Sequence, residues 1–204
     1  MKQTVTNIIV AIIAIIPTII CGWFVYDQNT KDKMTDFKIE QMRKENEIKT
    51  VNNSRHIAMI YGELWTLLVN LEADRCFILQ PHPEKKHLYI SASFEVNKKG
   101  ISKVSDVVQN IPISEIPLFA KEIATNMWLY YDNIDSQVPC LLIKSLMKIS
   151  GSTNIAIKQM VNISGDWVGS LVVENTAQKP LDDHAREYMR YAVQTIQFIL
   201  PPKN

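Results

Sequence analysis

From Ile8 to Tyr26 the chain reads IIVAIIAIIPTIICGWFVY, an uncharged run of about 19 residues, close to the ~20 that a helix needs to cross ~30 Å of hydrocarbon. No globular core accommodates such a run easily, so it is expected to span a bilayer. Pro17 in its middle is tolerated there as a local kink. Trp23 and Tyr26 at its far end suit the headgroup level. A cleaved signal peptide shares the pattern of Lys2 followed by apolar residues, but this run is longer than a signal core and no small-x-small cleavage site follows it. Flanking charge sets the orientation, since only Lys2 and the amino terminus precede the run while Lys31, Lys33, Lys38, Arg43 and Lys44 follow it. The rest of the chain is then expected on the cytoplasmic side of the cell inner membrane, carried by a single span.

Residues 27–53 are highly charged, free of Gly and Pro, and alternate in sign, which is the pattern of a solvated helix. They read as a stalk. Met34, Phe37, Ile48 and Val51 fall on heptad spacing, but Gln41 and Lys44 occupy the seam between them, so the coiled-coil signal covers only partial heptads. A homodimer through the stalk and a lone helix lying on the headgroups are both compatible with it. Three regions result: 1–26, tail and span; 27–53, stalk; 54–204, one domain of roughly 150 residues.

Within that domain, Ile57, Ile60, Tyr61, Leu64, Leu67, Leu68 and Leu71 recur at helical spacing and predict a helix over about 54–71. Arg75 to Gln80 predicts a buried strand, ended by the turn Pro81-His82-Pro83. His87 to Val96 alternates, with Leu88, Ile90, Ala92 and Phe94 on one face, and should pair back as a hairpin. IPISEIP leads into a helix over about 118–126 with Pro117 at its first position. A strand near Trp128 to Tyr131 and a helix over about 139–149, stopped by Gly151, come next. The clearest hairpin joins Asn154–Asn162 to Trp167–Glu174 through Ser164-Gly165-Asp166. A last helix over about 181–200 opens at Asp182-Asp183, carries Tyr188, Tyr191, Ala192, Ile196 and Ile199 as its stripe, and stops before Pro201-Pro202. This order argues for an α+β domain whose antiparallel sheet packs against its first and last helices.

Residues 54–200 resemble a GAF domain. The likeness rests on the opening helix running into Ala73-Asp74-Arg75, the IPISEIP passage, Gly151-Ser152 before the penultimate strand, Gly165-Asp166-Trp167-Val168-Gly169 entering the last, and Leu181-Asp182-Asp183 opening the final helix. The resemblance implies a GAF-like fold and a sensory or ligand-binding module without catalysis of its own, with terminal helices available for dimer contacts. The NKxnFx3DE signature of cyclic-nucleotide-binding members is missing, as is a Cys-His pair where bilin-binding members attach a chromophore, so no cofactor is expected.

Basic and acidic residues balance at 22 against 21, which offers no general field for nucleic acid. The three cysteines are scattered, without CxxC or His/Cys pairing, so neither a zinc site nor a disulfide framework is indicated. Of the four histidines only His82 and His87 lie near each other, flanking a turn with Glu84 between them, and a metal site there lacks a fourth ligand. No GxSxG or phosphate-loop pattern appears, and the chain is not expected to be an enzyme. Aromatics beside a carboxylate can hold a cationic or planar ligand. Phe77, Phe94, Trp128, Tyr130 and Asp132 are therefore the candidate ligand-binding residues, expected to line a cavity of roughly several hundred Å³. The functional expectation is a membrane-anchored, GAF-like signal-transduction module detecting a small ligand or protein partner. The alternative is a non-catalytic interaction protein with a filled pocket, in an accessory, phage-lysis or host-interaction role.

Overall fold

A computed structural model describes residues 38–46, 48–83, 86–177, 179–181 and 183–203. The expected span, 8–26, lies outside them, as do Met34 and Phe37 of the heptad pattern. No helix among the described residues is long and apolar enough to cross a membrane. The chain divides into two units, Met1–Asn52 and Asn53–Asn204. In the first, residues 38–46 and 48–52 are helical, supported by an ion pair between Lys44 and Glu40 at 2.8 Å, one turn apart. Ile39, Met42, Ile48 and Val51 are exposed on it.

The second unit opens with α1 (53–70), whose stripe Ile60, Leu64, Leu67 and Leu68 is buried at the spacing the sequence predicts. There follow β1 (Arg75–His82), β2 (Tyr89–Asn97), β3 (Ile111–Pro112), a 3-10 turn (Ile113–Glu115), α2 (Pro117–Thr125), β4 (Leu129–Tyr131), α3 (Ile134–Gln137), α4 (Leu141–Ile149), β5 (Asn154–Val161), β6 (Trp167–Asn175) and α5 (Asp183–Ile196). The six strands form one sheet in the order β3-β2-β1-β6-β5-β4, every neighbouring pair antiparallel. The fold is α+β, with the sheet as the middle of three layers.

Helices cover both faces, which is why all eight residues of β1 are buried and the strand reads as a continuous run. On one face Cys76, Ile78, Ala156, Met160, Leu171 and Val173 pack against α1 and α5. On the other, Phe77, Leu79, Ile90, Ile155, Ile157 and Val172 pack against α2, α4 and Val104 and Val108 of the 98–110 segment. The expected packing of the sheet against the first and last helices holds for one face, and the middle helices cover the other. The short middle helices carry too few periodic positions to show their partner in sequence.

Three local differences have physical causes. Pro81 and His82 remain in β1 instead of breaking it, because β6 pairs only as far as Leu79 and the strand has an open edge beyond. Phe94 leaves the face of Ile90 and Ala92: between Cys76 and Ile78 the register skips an extra residue of β2, a bulge at which Phe94 takes φ +49°. Its ring lies edge-on to Tyr61 of α1, with centroids 5.8 Å apart. On α5 the buried stripe is Ala185, Met189, Ala192, Val193 and Ile196, leaving Tyr188 and Tyr191 exposed. Gly169 permits a close approach of backbones, since a Cβ there would stand 3.0 Å from the carbonyl oxygen of Leu79 on the adjacent strand.

Candidate functional site

The end of α4 shows how sequence positions the site. Gly151 takes φ +76°, its N–H donates to Lys148 O at 3.0 Å and that of Ser152 to Met147 O at 2.9 Å, which are the two bonds of a Schellman cap. The cap turns Ser150 and Ser152 inward, toward the start of β1 and the end of β6. Register places Arg75 directly opposite Glu174 there. Both are buried, and Arg75 Nε donates to Glu174 Oε2 at 2.9 Å and Nη2 to the same oxygen at 2.5 Å. Ser152 Oγ donates to that oxygen at 2.8 Å, while Arg75 Nη1 donates to Ser102 O at 2.5 Å and Nη2 to Ser152 Oγ at 2.9 Å. Two sheet strands, the 98–110 segment and the α4 cap are thereby joined through one guanidinium.

Arg75 Nε, Arg75 Nη2 and Ser152 Oγ all converge on Oε2. Glu174 and Ser150 form the polar end of an otherwise apolar cavity lined by Phe77, Ile90, Val108, Phe119, Ile143 and Met147. Its volume is about 30 Å³, room for roughly one water and far below the ~300–1,000 Å³ of drug-sized sites. Loss of hydration raises the Glu174 carboxyl above the usual carboxylate range, opposed by Arg75 and Ser152. The cavity therefore offers apolar walls with a carboxyl group at one end.

The five sequence-predicted residues do not meet in one place. Phe77 lines this cavity. Phe94, Trp128 and Tyr130 pack on the opposite face of the sheet, with the α1 and α5 core. The hydroxyl of Tyr130 accepts from Leu181 N–H at 3.2 Å, and Asp132 is exposed beyond β4. The expected cavity of several hundred Å³ with these walls is corrected accordingly: period-2 alternation divides β4 between faces, and the bulge carries Phe94 away. Arg75, Ser150, Ser152 and Glu174 are the polar residues that sequence reasoning missed. Their signal was an arginine opening one apolar strand and a glutamate closing another.

His82 is buried, bonded through Nε2 to Ser91 Oγ at 2.8 Å and stacked on Tyr89, while His87 meets Trp167 edge-on. Among the described residues no three His, Cys, Asp or Glu side chains gather as a metal set. Cys76 is buried and its thiol is pushed far above its usual range by loss of hydration, then by Glu174.

No family model matches the chain, and no curated protein matches it. Solved structures do. The GAF domain of Thermosynechococcus elongatus PixJ, in its blue-light-absorbing form, superposes with TM-score 0.57 at 10% identity, covering 72% of this chain and 87% of that one. A phycocyanobilin-bound GAF domain from a cyanobacterial phytochrome gives 0.57 at 13% identity over 70% and 82%. A domain described as belonging to a two-component sensor histidine kinase protein of Sinorhizobium meliloti 1021 gives 0.51 at 13% over 67% and 83%. At these identities the likeness is one of fold, and the second unit has a GAF-like fold.

Proposed function

We propose that this chain is a non-catalytic sensory or binding module, held at the cytoplasmic face of a membrane by residues 8–26 through the charged stalk. The observation that carries the binding role is the apolar cavity between the sheet and α4, closed at one end by the polar residues Glu174 and Ser150. Related folds described as chromophore-binding or sensor proteins support the same reading. At about 30 Å³ the cavity is too small for a drug-sized ligand, so a ligand enters by displacing α4, whose outer residues Leu141 and Ile149 are exposed. The ligand class is a small apolar molecule with one hydrogen-bond donor.

The test is a thermal-shift screen of small apolar donors on the full chain in uncharged detergent, repeated on Leu146→Phe, which adds bulk at a half-buried α4 residue lining the cavity. A compound that stabilises the wild type and not the variant supports the reading. Absence of any such compound favours the second reading, a filled-pocket interaction module. That alternative is favoured by the cavity's small volume and by the exposed row Ile57, Tyr61, Trp65 and Val69 on α1 with Tyr188 and Tyr191 on α5. Its occupant is a second copy of this chain, tested by sedimentation of the wild type against Trp65→Ser/Tyr191→Ser.

A further inference from the structure

On the sheet face opposite the cavity, a groove of about 640 Å³ runs between α5 and the β4–β5 edge. Lys158 reaches it from β5, Arg186 and Arg190 from α5, with Trp128 and Met127 along the other side. The placement follows from the fold: Ala156 and Met160 face α5, so Lys158 between them does too, and Arg186 and Arg190 stand one turn apart beside the buried Ala185 and Met189.

Three cations thus line one space with His184 beside them, and the Arg190 guanidinium also lies over the Tyr191 ring at 5.0 Å and donates to its hydroxyl at 3.3 Å. The acid lining it is Glu187, which meets Arg190 at 3.7 Å across two exposed side chains, a weak pairing. Lys158 Nζ donates to the Met127 carbonyl at 3.3 Å. Loss of hydration, then the fields of Arg186 and Arg190, push its ammonium below the usual lysine range. A half-buried lysine in the field of two guanidiniums favours an anion beside it. Trp128 is half-buried and gives the groove an aromatic wall, and Met127 extends that wall to 73% exposure.

We propose that this groove binds a phosphate ester with a flat or apolar body, its oxygens held by Arg186 and Arg190 with Lys158 beneath them and its carbon portion against Trp128. Guanidinium forks match phosphate geometry, and the site is separated by the sheet from the cavity discussed above, so the two stand or fall independently. The same chemistry is carried by a soluble phosphomonoester and by a phospholipid headgroup.

The test uses the full chain in uncharged detergent, with AMP, inorganic pyrophosphate and dihexanoyl phosphatidylglycerol as probes and sodium chloride matched for ionic strength. The expected result is a saturable rise in Tm with AMP or the short-chain lipid that matched salt does not give. In Arg186→Gln/Arg190→Gln the affinity falls about tenfold or more. Lys158→Met raises the Tm of the ligand-free protein while weakening the response. A response to AMP marks a soluble source; a response confined to the lipid marks a headgroup. No shift beyond matched salt, a shift retained in the double variant, or a ligand-free Lys158→Met that is less stable than the wild type overturns the proposal.

Discussion

Arg75 and Glu174 face each other across neighbouring strands, sealed from water, with one carboxylate oxygen receiving the guanidinium twice and Ser152 once, and Glu174 lines the cavity beside them. The pair is both a structural knot and the polar end of the site. Breaking a buried pair by removing one partner leaves an uncompensated charge, so Arg75→Met is expected to cost about 3–5 kcal/mol. Arg75→Met/Glu174→Met should recover much of that loss. Urea denaturation followed by tryptophan fluorescence checks both; a double variant no better than the single one contradicts the account.

Asp74 predicts the acid limb of stability. Burial opposes its charge, but the N–H and hydroxyl of Thr176, both at 2.8 Å, and the Lys98 ammonium at 3.0 Å outweigh it and hold the carboxyl below its usual range. A folded pKa below the unfolded value of about 3.9 gives stability that is complete above that value and lost as pH falls through the folded pKa. Asp74→Asn should therefore be less stable than the wild type at neutral pH, and the gap should narrow in acid. Thermal melts from pH 7 down to pH 3 measure it.

Gly169 and Gly151 differ in why they cannot change. At Gly169 an added methyl meets the Leu79 backbone oxygen at 3.0 Å, which cannot yield without moving β1, so Gly169→Ala is expected to cost about 1–3 kcal/mol. At Gly151 space is open but φ is +76°, and Gly151→Ala should cost about 1–2 kcal/mol through backbone strain alone. Gly151→Asn, which tolerates that conformation better, should restore part of the loss, whereas Gly169→Asn should not.

The membrane reading yields a topology prediction. Ser145 is exposed on α4, so in a Cys140→Ser background Ser145→Cys should react with a membrane-impermeant maleimide only after the inner membrane is opened. Labelling in intact spheroplasts would place the domain on the outer side.

How much of this was visible in the sequence depended on distance along the chain. The α1 stripe, the β5–β6 hairpin, Pro117 at a helix start and Gly151 at a helix end are local patterns, and they were legible. Phe94 lies on the face opposite to the one its alternation predicts because one bulged residue inverts a period of two. The Arg75–Glu174 pair joins residues 99 apart and needs a strand register that no local pattern supplies. The cationic groove likewise gathers Lys158 from a strand and Arg186 and Arg190 from a helix, each of which alone reads as an ordinary solvated charge.

The most direct test of the central claim, a binding module rather than a filled scaffold, is native mass spectrometry of the full chain purified from its own host in uncharged detergent, before and after denaturation. The account predicts a bound small molecule that denaturation releases and that Leu146→Phe fails to retain. A wild-type protein that carries nothing, with a spectrum identical to that of Leu146→Phe, would contradict it.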